Sequence, residues 1–147
     1  MGLGEFKSQV VFLDTSPLIY FMEGISIYQK KLSELFLLHD KGYFTLITSV
    51  LTLLEVLVQP LKLNRTDLVE QYKKILTDSS GLKVADVNVG IASEAAELRA
   101  KYGLKTPDSI QVATALVHNA KLFFTNDKRL RVIEELKVIT LSDFGKF

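Results

Sequence analysis

The chain has no cysteine. That absence excludes a disulfide, a thiolate nucleophile and a zinc–thiolate centre, and it is compatible with a reducing compartment such as the cytosol. Although 48% of its 147 residues are hydrophobic, no apolar run approaches the ~18 uncharged residues that a membrane-spanning helix needs. A soluble, cytoplasmic protein without a membrane partner is expected. The opening residues, MGLGEFKSQ, carry an acid and lack an apolar core, unlike a secretory signal. A strong charge of one sign is missing too, since 18 Lys and Arg against 17 Asp and Glu leave a formal net charge of +1. Charge alone therefore does not mark a nucleic-acid binder, and any such role must rest on local patches or on metal ions. The two histidines, His39 and His118, lie near the ends of predicted helices, where packing or surface roles are expected. No internal repeat, low-complexity tract or linker divides the chain, so one domain over 1–147 with a sizeable core is expected.

What is present is an alternation of apolar strands with helical patterns, organised around LKTPDSIQVATALVHNAKLFFTNDKRL, residues 104–130. Thr106 offers an N-cap, Pro107 suits the first helical position, and Asp108 falls in the first turn, where the helix dipole favours an acid. Ile110, Ala113, Thr114 and Val117 recur at helical spacing. Leu122, Phe123 and Phe124 then read as a buried strand that changes abruptly to Thr125, Asn126 and Asp127.

Upstream, Gln9 to Leu13 is a strand run that ends at Asp14, and Thr15, Ser16 and Pro17 start a helix that Gly24 closes. From Ser26 to about Lys41, Tyr28, Leu32, Leu35, Phe36 and His39 share one helical stripe. Tyr43 to Ile47 reads as a second strand, ending in Thr48 and Ser49. The next helix, from Val50, is apolar except for Glu55 and is expected to end at Pro60. Asn64 or Thr66 can cap a helix over Asp67 to Leu76, and Asp78 to Gly81 reads as a loop. Leu82 to Val87 is the next predicted strand. Asn88 then caps a helix through Ile91, Ala95, Leu98 and Tyr102 that Gly103 closes. After Asp127, a short helix over Lys128 to Leu136 and a last strand over Lys137 to Leu141 are expected. None of the links is a tight hairpin. Strands that alternate in this way with helices predict a three-layer α/β fold with a parallel central sheet.

Ligands of open parallel sheets bind beyond the carboxyl ends of the strands, which is where this reading puts Asp14 and Asp127. Taken singly, a strand-end aspartate is ordinarily a helix cap, and Asp108 ordinarily a dipole partner. Glu55 is more telling, because an acid in an apolar helix needs solvent, a cation or a polar cleft. If Asp14, Glu55, Asp108 and Asp127 meet at one sheet edge, their mutual repulsion calls for a cation. Oxygen ligands without cysteine or a nearby histidine favour Mg²⁺ or Mn²⁺ over zinc. Such an ion lowers the pKa of a bound water and stabilises charge on a phosphoryl group. A phosphatase of the haloacid dehalogenase type would need a second acid where Ser16 stands, and a receiver domain would need a paired acid and a late lysine that are not apparent.

These residues resemble the PIN-domain nucleases, most closely in size and spacing the small VapC-type toxin ribonucleases. The motifs are VVFLDTS with Asp14, TSVLTLLEVL with Glu55, TPDSIQVATAL with Asp108, and FFTND with Asp127, and they span nearly the whole chain. The resemblance implies a PIN-like α/β/α domain and an Mg²⁺- or Mn²⁺-dependent endoribonuclease, in which a metal-activated water attacks an RNA phosphodiester and leaves a 5′-phosphate. It implies that Asp14 and Asp108 are the principal ligands, completed by Glu55 and Asp127. Thr125 would hydrogen-bond within the pocket, with Thr15, Ser16 and Asn126 as further supports. It also implies a homodimer and a small antitoxin partner. A PIN nuclease of RNA processing and a catalytically inactive PIN-like RNA- or protein-binding module are the alternatives.

Lys128, Arg129 and Arg131 follow Asp127 closely enough to meet RNA phosphates, although a basic helix is ordinarily a solvated face. Tyr20, Phe21, Tyr28, Phe36 and Tyr72 have the spacing of core or dimer contacts rather than of a base-stacking platform.

Overall fold

The computed structural model describes residues 3–24, 27–77 and 82–144. Five strands form one parallel sheet: β1 (Val10–Leu13), β2 (Thr45–Ser49), β3 (Lys83–Ala85), β4 (Leu122–Thr125) and β5 (Lys137–Thr140), in the spatial order β3-β2-β1-β4-β5. The helices between them are α1 (Thr15–Glu23), α2 (Gln29–Asp40), α3 (Val50–Lys62), α4 (Thr66–Thr77), α5 (Val89–Tyr102), α6 (Thr106–Val117) and α7 (Leu141–Phe144).

Side chains along a strand alternate between faces, and here each face has its own core. Val11 and Leu13 of β1 and Leu122 and Phe124 of β4 join Leu18, Leu32, Leu35, Val56, Leu68 and Tyr72, from α1 to α4. Phe12 and Phe123 turn the other way, onto Ile91, Leu98, Val112 and Ala113 of α5 and α6. Phe12 and Phe123 stack with ring centroids 5.1 Å apart. The result is three layers, α/β/α. None of the helices among the described residues is long and apolar enough to cross a membrane.

The strand order reverses beside β1: the chain moves outward through β2 and β3, then returns to the other side of β1 as β4. That makes the carboxyl ends of β1 and β4 a topological switch point, where the following connections diverge and leave a crevice. The ladder continues one residue past the strand, with Asp14 N donating to Phe124 O at 2.9 Å.

Several boundaries differ from the sequence expectation. Helix α3 runs through Pro60 to Lys62. Pro60 has no N–H to donate to Val56 O, so one bond is forfeited, but the last turn still closes through Leu63 N to Gln59 O at 3.0 Å. Asn64 does not cap α4; with φ 54° it takes the left-handed conformation that ends α3, and Asn64 N and Arg65 N donate back to Leu61 O and Pro60 O. Arg65, not Thr66, holds the capping position of α4, since Val69 N donates to Arg65 O. Thr106 likewise lies inside α6, with Lys105 at the cap, because Arg99 of α5 donates to the Thr106 hydroxyl at 3.0 Å. The predicted helix over 128–136 is a 3-10 turn over Lys128–Val132, after which Ile133 becomes extended (φ −74°, ψ 123°) and Leu136 is buried. Leu141 begins α7 rather than ending β5, as Asp143 accepts from Thr140 N at 3.0 Å and turns the chain. Strand β2 starts at Thr45 and includes Thr48 and Ser49, β3 is trimmed to Lys83–Ala85, and α2 begins at Gln29. Ser26 and the loop expected over 78–81 lie outside the described residues.

Candidate functional site

A cleft of about 340 Å³ opens at the switch point, lined by Asp14, Thr15, Ser16, Glu55, Pro107, Asp108, Gln111, Thr125, Asn126 and Asp127. All four acids singled out in the sequence reach it, each from a different element. Asp14 follows β1, Glu55 is one turn into α3, Asp108 stands in the first turn of α6, and Asp127 follows β4.

Asp14 is held from two sides. One carboxylate oxygen accepts from Thr15 N at 2.8 Å and so caps α1; the other accepts from the Thr125 hydroxyl at 2.7 Å. Burial nevertheless pushes its pKa up, and the hydroxyl and amide donors only partly offset this, while the charges of Glu55 and Asp108 raise it further. Asp108 is also raised, by burial first and then by the charge of Asp127. Glu55 accepts from the Thr15 hydroxyl at 2.8 Å, which ties α3 to the start of α1.

Asp127 differs. The Arg129 guanidinium grips both its oxygens, at 3.0 and 2.8 Å, and Arg129 N caps onto the same carboxylate at 3.0 Å, so its pKa is lowered. Asp127 N in turn donates to the Thr125 hydroxyl at 3.1 Å. Thr125 thus joins the two strand-end acids through one oxygen. Asn126, on the rim, donates to the Tyr20 hydroxyl at 3.2 Å.

Beneath the cleft lies a buried polar chain that the sequence reading passed over. Thr48 Oγ1 is 2.8 Å from both Leu13 O and Thr52 Oγ1. It has one proton, and the carbonyl can only accept, so Thr52 donates to Thr48. Thr52 in turn accepts from Gln111 Nε2 at 2.7 Å, and Gln111 Oε1 accepts from the Ser49 hydroxyl. All four side chains are buried. The chain therefore links the end of β1, the end of β2, α3 and α6, the elements that carry Asp14, Glu55 and Asp108. The available signal was a glutamine on the buried face of α6, one turn after Asp108.

The basic candidates separate. Lys128 is exposed, Arg129 is spent on Asp127, and Arg131 turns away to Asp143 (2.9 and 2.8 Å) and Thr140 (2.9 Å). Lys105, not singled out from the sequence, acts electrostatically on both Asp108 and Asp127. His39 is buried and lies 3.2 Å from Phe44 O, a packing role, and His118 caps the end of α6 through Thr114 O at 3.0 Å. Tyr72 is in the core, and Phe21 stacks on Phe36 at 4.0 Å.

The donors of the cleft are carboxylate and hydroxyl oxygens, a set that suits a hard divalent cation. Among the described residues, however, no three acid or histidine side chains stand close enough to hold one ion. The four acids thus share one cleft at the sheet edge, as expected, without closing on a single point. Thr15 holds Glu55, and Arg129 holds Asp127, so neither carboxylate is committed to the centre.

A family model described as the PIN domain matches residues 11–136. The chain belongs to the PIN-domain family. Solved structures share this PIN fold over most of their length. VapBC2 from Rickettsia felis, bound to a DNA fragment from its promoter, is 19% identical, with a TM-score of 0.71 over 89% of this chain and 98% of its own. A toxin–antitoxin complex from Klebsiella pneumoniae is 22% identical (TM-score 0.67, covering 89% and 97%). VapC20 from Mycobacterium tuberculosis, described as a Sarcin–Ricin loop cleaving toxin, is 14% identical (TM-score 0.68, covering 86% and 98%). At these identities the likeness is one of PIN fold. No curated protein matches the chain.

Proposed function

We propose that the chain, acting as one PIN-like unit, is an Mg²⁺- or Mn²⁺-dependent endoribonuclease and the toxin of a toxin–antitoxin pair. The observation that carries this reading is the convergence of Asp14, Glu55, Asp108 and Asp127 on one cleft at the switch point of the sheet. Acids so placed, with Asp14 and Asp108 both pushed up, favour the arrival of positive charge. Asp14 and Asp108 would hold the ion, with Glu55 and Asp127 completing the shell directly or through water. When bound, the ion supplies charge neutralisation at a phosphodiester and acidifies a water. The chain's own part is orientation: Thr125 and Thr15 fix the faces of Asp14 and Glu55, and Ser16 and Asn126 shape the mouth.

PIN-family membership and the toxin–antitoxin structures that share the fold support an antitoxin partner in the cytoplasm. Exposed Leu54, Val58 and Leu61 along one face of α3 supply an apolar surface consistent with a homodimer or antitoxin contact. The purified protein should cleave single-stranded RNA with Mn²⁺ or Mg²⁺, leave 5′-phosphates, and stop on EDTA addition. Cleavage that survives EDTA would sink the metal reading. Growth arrest on expression, relieved by a small neighbouring open reading frame, tests the toxin assignment separately.

A further inference from the structure

The cleft does not end at Asp108 and Asp127. A second hollow of about 190 Å³ opens on their far side, lined by Tyr102, Leu104, Lys105 and Arg129 together with the same two acids. The hollows share a carboxylate wall, and the outer one is rimmed by cations. The charges of Lys105 and Arg129 act on both acids, and the Arg129 guanidinium also grips Asp127.

Arg129 is unusually placed for a residue inside the turn that Asp127 caps. Its side chain is 75% exposed, yet its guanidinium covers both oxygens of an acid that lines the cleft. A guanidinium fork fits a phosphodiester as well as a carboxylate, and it cannot serve two such partners at once with the same edge. An exposed ion pair of this kind is weak and readily exchanged. If the guanidinium leaves, Asp127 keeps its place, because Arg129 N still donates to it at 3.0 Å.

We propose that Lys105 and Arg129 form a backbone-phosphate subsite for a nucleic-acid strand crossing from the acidic cleft into the second hollow, and that Arg129 is a positioning residue which exchanges between Asp127 and that phosphate. Strand binding thereby releases Asp127 toward the cleft cation. This rests on the metal-nuclease reading above. It accounts for acids that share a cleft without closing on one point: one of them is masked until the strand arrives. A released Asp127 carboxylate adds to the repulsion at Asp108, which a divalent ion relieves. Binding linkage then requires that the strand tighten the ion and the ion tighten the strand by the same factor.

The experiment is a Mn²⁺ titration followed by electron paramagnetic resonance, with and without a short oligothymidylate, which carries the phosphodiester backbone without being RNA. In the wild-type protein the oligonucleotide should tighten Mn²⁺ by about tenfold. Arg129→Ala should bind Mn²⁺ more tightly than wild type without the oligonucleotide and gain at most about twofold from it. Arg129→Lys, which keeps the charge but not the fork, should fall between. Lys105→Ala should weaken the oligonucleotide and lower its salt slope by about 0.7, with the coupling intact. Wild-type coupling in Arg129→Ala, or no coupling in the wild type, overturns the proposal. Two results separate the layers: if Asp14→Asn leaves Mn²⁺ binding unchanged, the metal reading falls and takes this with it. If Asp14→Asn removes the ion while Arg129→Ala behaves as wild type, only the Arg129 exchange is lost.

Discussion

Asp14 and Asp127 occupy equivalent places, each just past the carboxyl end of one of two neighbouring parallel strands and each capping the turn or helix that follows. Their surroundings are opposite. Asp14 is enclosed, held only by a backbone amide and a hydroxyl, and pushed up by burial and by other acids. Asp127 is closer to solvent, paired with a guanidinium, and drawn down. The same local pattern, an apolar strand running into an acid, therefore yields one carboxylate whose charge awaits a counter-ion and another whose charge is already matched. The difference comes from residues two positions on: Arg129 stands after Asp127, whereas Ser16 stands after Asp14.

The sharpest way to break this comparison is to neutralise each acid in turn. On the proposed reading, Asp14→Asn should lower cleavage by about 10²-fold or more, as expected when charge stabilisation at a reacting centre is removed. Asp127→Asn should cost only about tenfold, as expected for a group that supports the ion from further out. Stability should move in opposite directions. A folded pKa raised above the unfolded one means stability that is present below the unfolded value and lost as pH rises through the folded one. Asp14→Asn removes that penalty and should raise Tm at neutral pH by about 2 °C or more. Asp127 is lowered, so its contribution is present above the unfolded pKa and lost as pH falls through the folded one. Asp127→Asn should lower Tm at neutral pH, and as pH falls the Asp14 difference should vanish first, since its pKa is raised, and the Asp127 difference only once pH passes below its lowered pKa. Shifts of the same sign, or equal losses of cleavage, would remove the contrast.

How far the comparison could be read in advance is instructive. The alternation of elements, the parallel sheet and the arrival of four acids at one edge follow from local patterns: apolar runs that stop at Asp14 and Asp127, a lone Glu55 in an apolar helix, and Asp108 in a first turn. What escaped depends on partners far apart in the chain. Thr106 looked like an N-cap until Arg99 claimed its hydroxyl, and Asn64 looked like the start of α4 when its left-handed backbone ends α3. Pro60 looked like the end of α3, which instead runs on to Lys62 and closes through Leu63 and Gln59. Gln111 carried a weak signal, a polar side chain on a buried face, but its partners Ser49 and Thr52 are 62 and 59 residues away. Arg129 and Arg131, two residues apart, were indistinguishable until the fold turned one to Asp127 and the other to Asp143.

Gln111 offers a way to sharpen the contrast, because its hydrogen-bond chain supports the Asp14 side of the cleft and makes no contact with Asp127. Gln111→Leu keeps the approximate volume but leaves the buried Ser49 hydroxyl proton without its acceptor and Thr52 without one donor, which should cost about 1–3 kcal/mol in denaturant unfolding. Amide hydrogen exchange should rise at the end of β1 and the start of α3 and stay unchanged around Arg129. Uniform loss of protection across both strand ends would mean that the two acids share one support, and the contrast would be only electrostatic.

The smallest effect is expected at Arg131. Sequence proximity to Asp127 made it a phosphate contact on a par with Arg129, but the fold commits it to Asp143 and Thr140 at the end of β5. The pair is partly exposed, with side chains 45% and 26% accessible, so solvent screens much of its attraction. Arg131→Ala should therefore cost only about 0.5 kcal/mol of stability. It should leave oligonucleotide affinity within about twofold and the salt slope unchanged, since for a single strand the slope changes by roughly 0.7 only when a phosphate is no longer neutralised by the protein. Arg129→Ala should differ in the slope, which should fall, while its cost in stability should be similarly small. If the slope drops by about 0.7 in Arg131→Ala instead, then the strand runs over β5 and α7, and the second hollow is not its path.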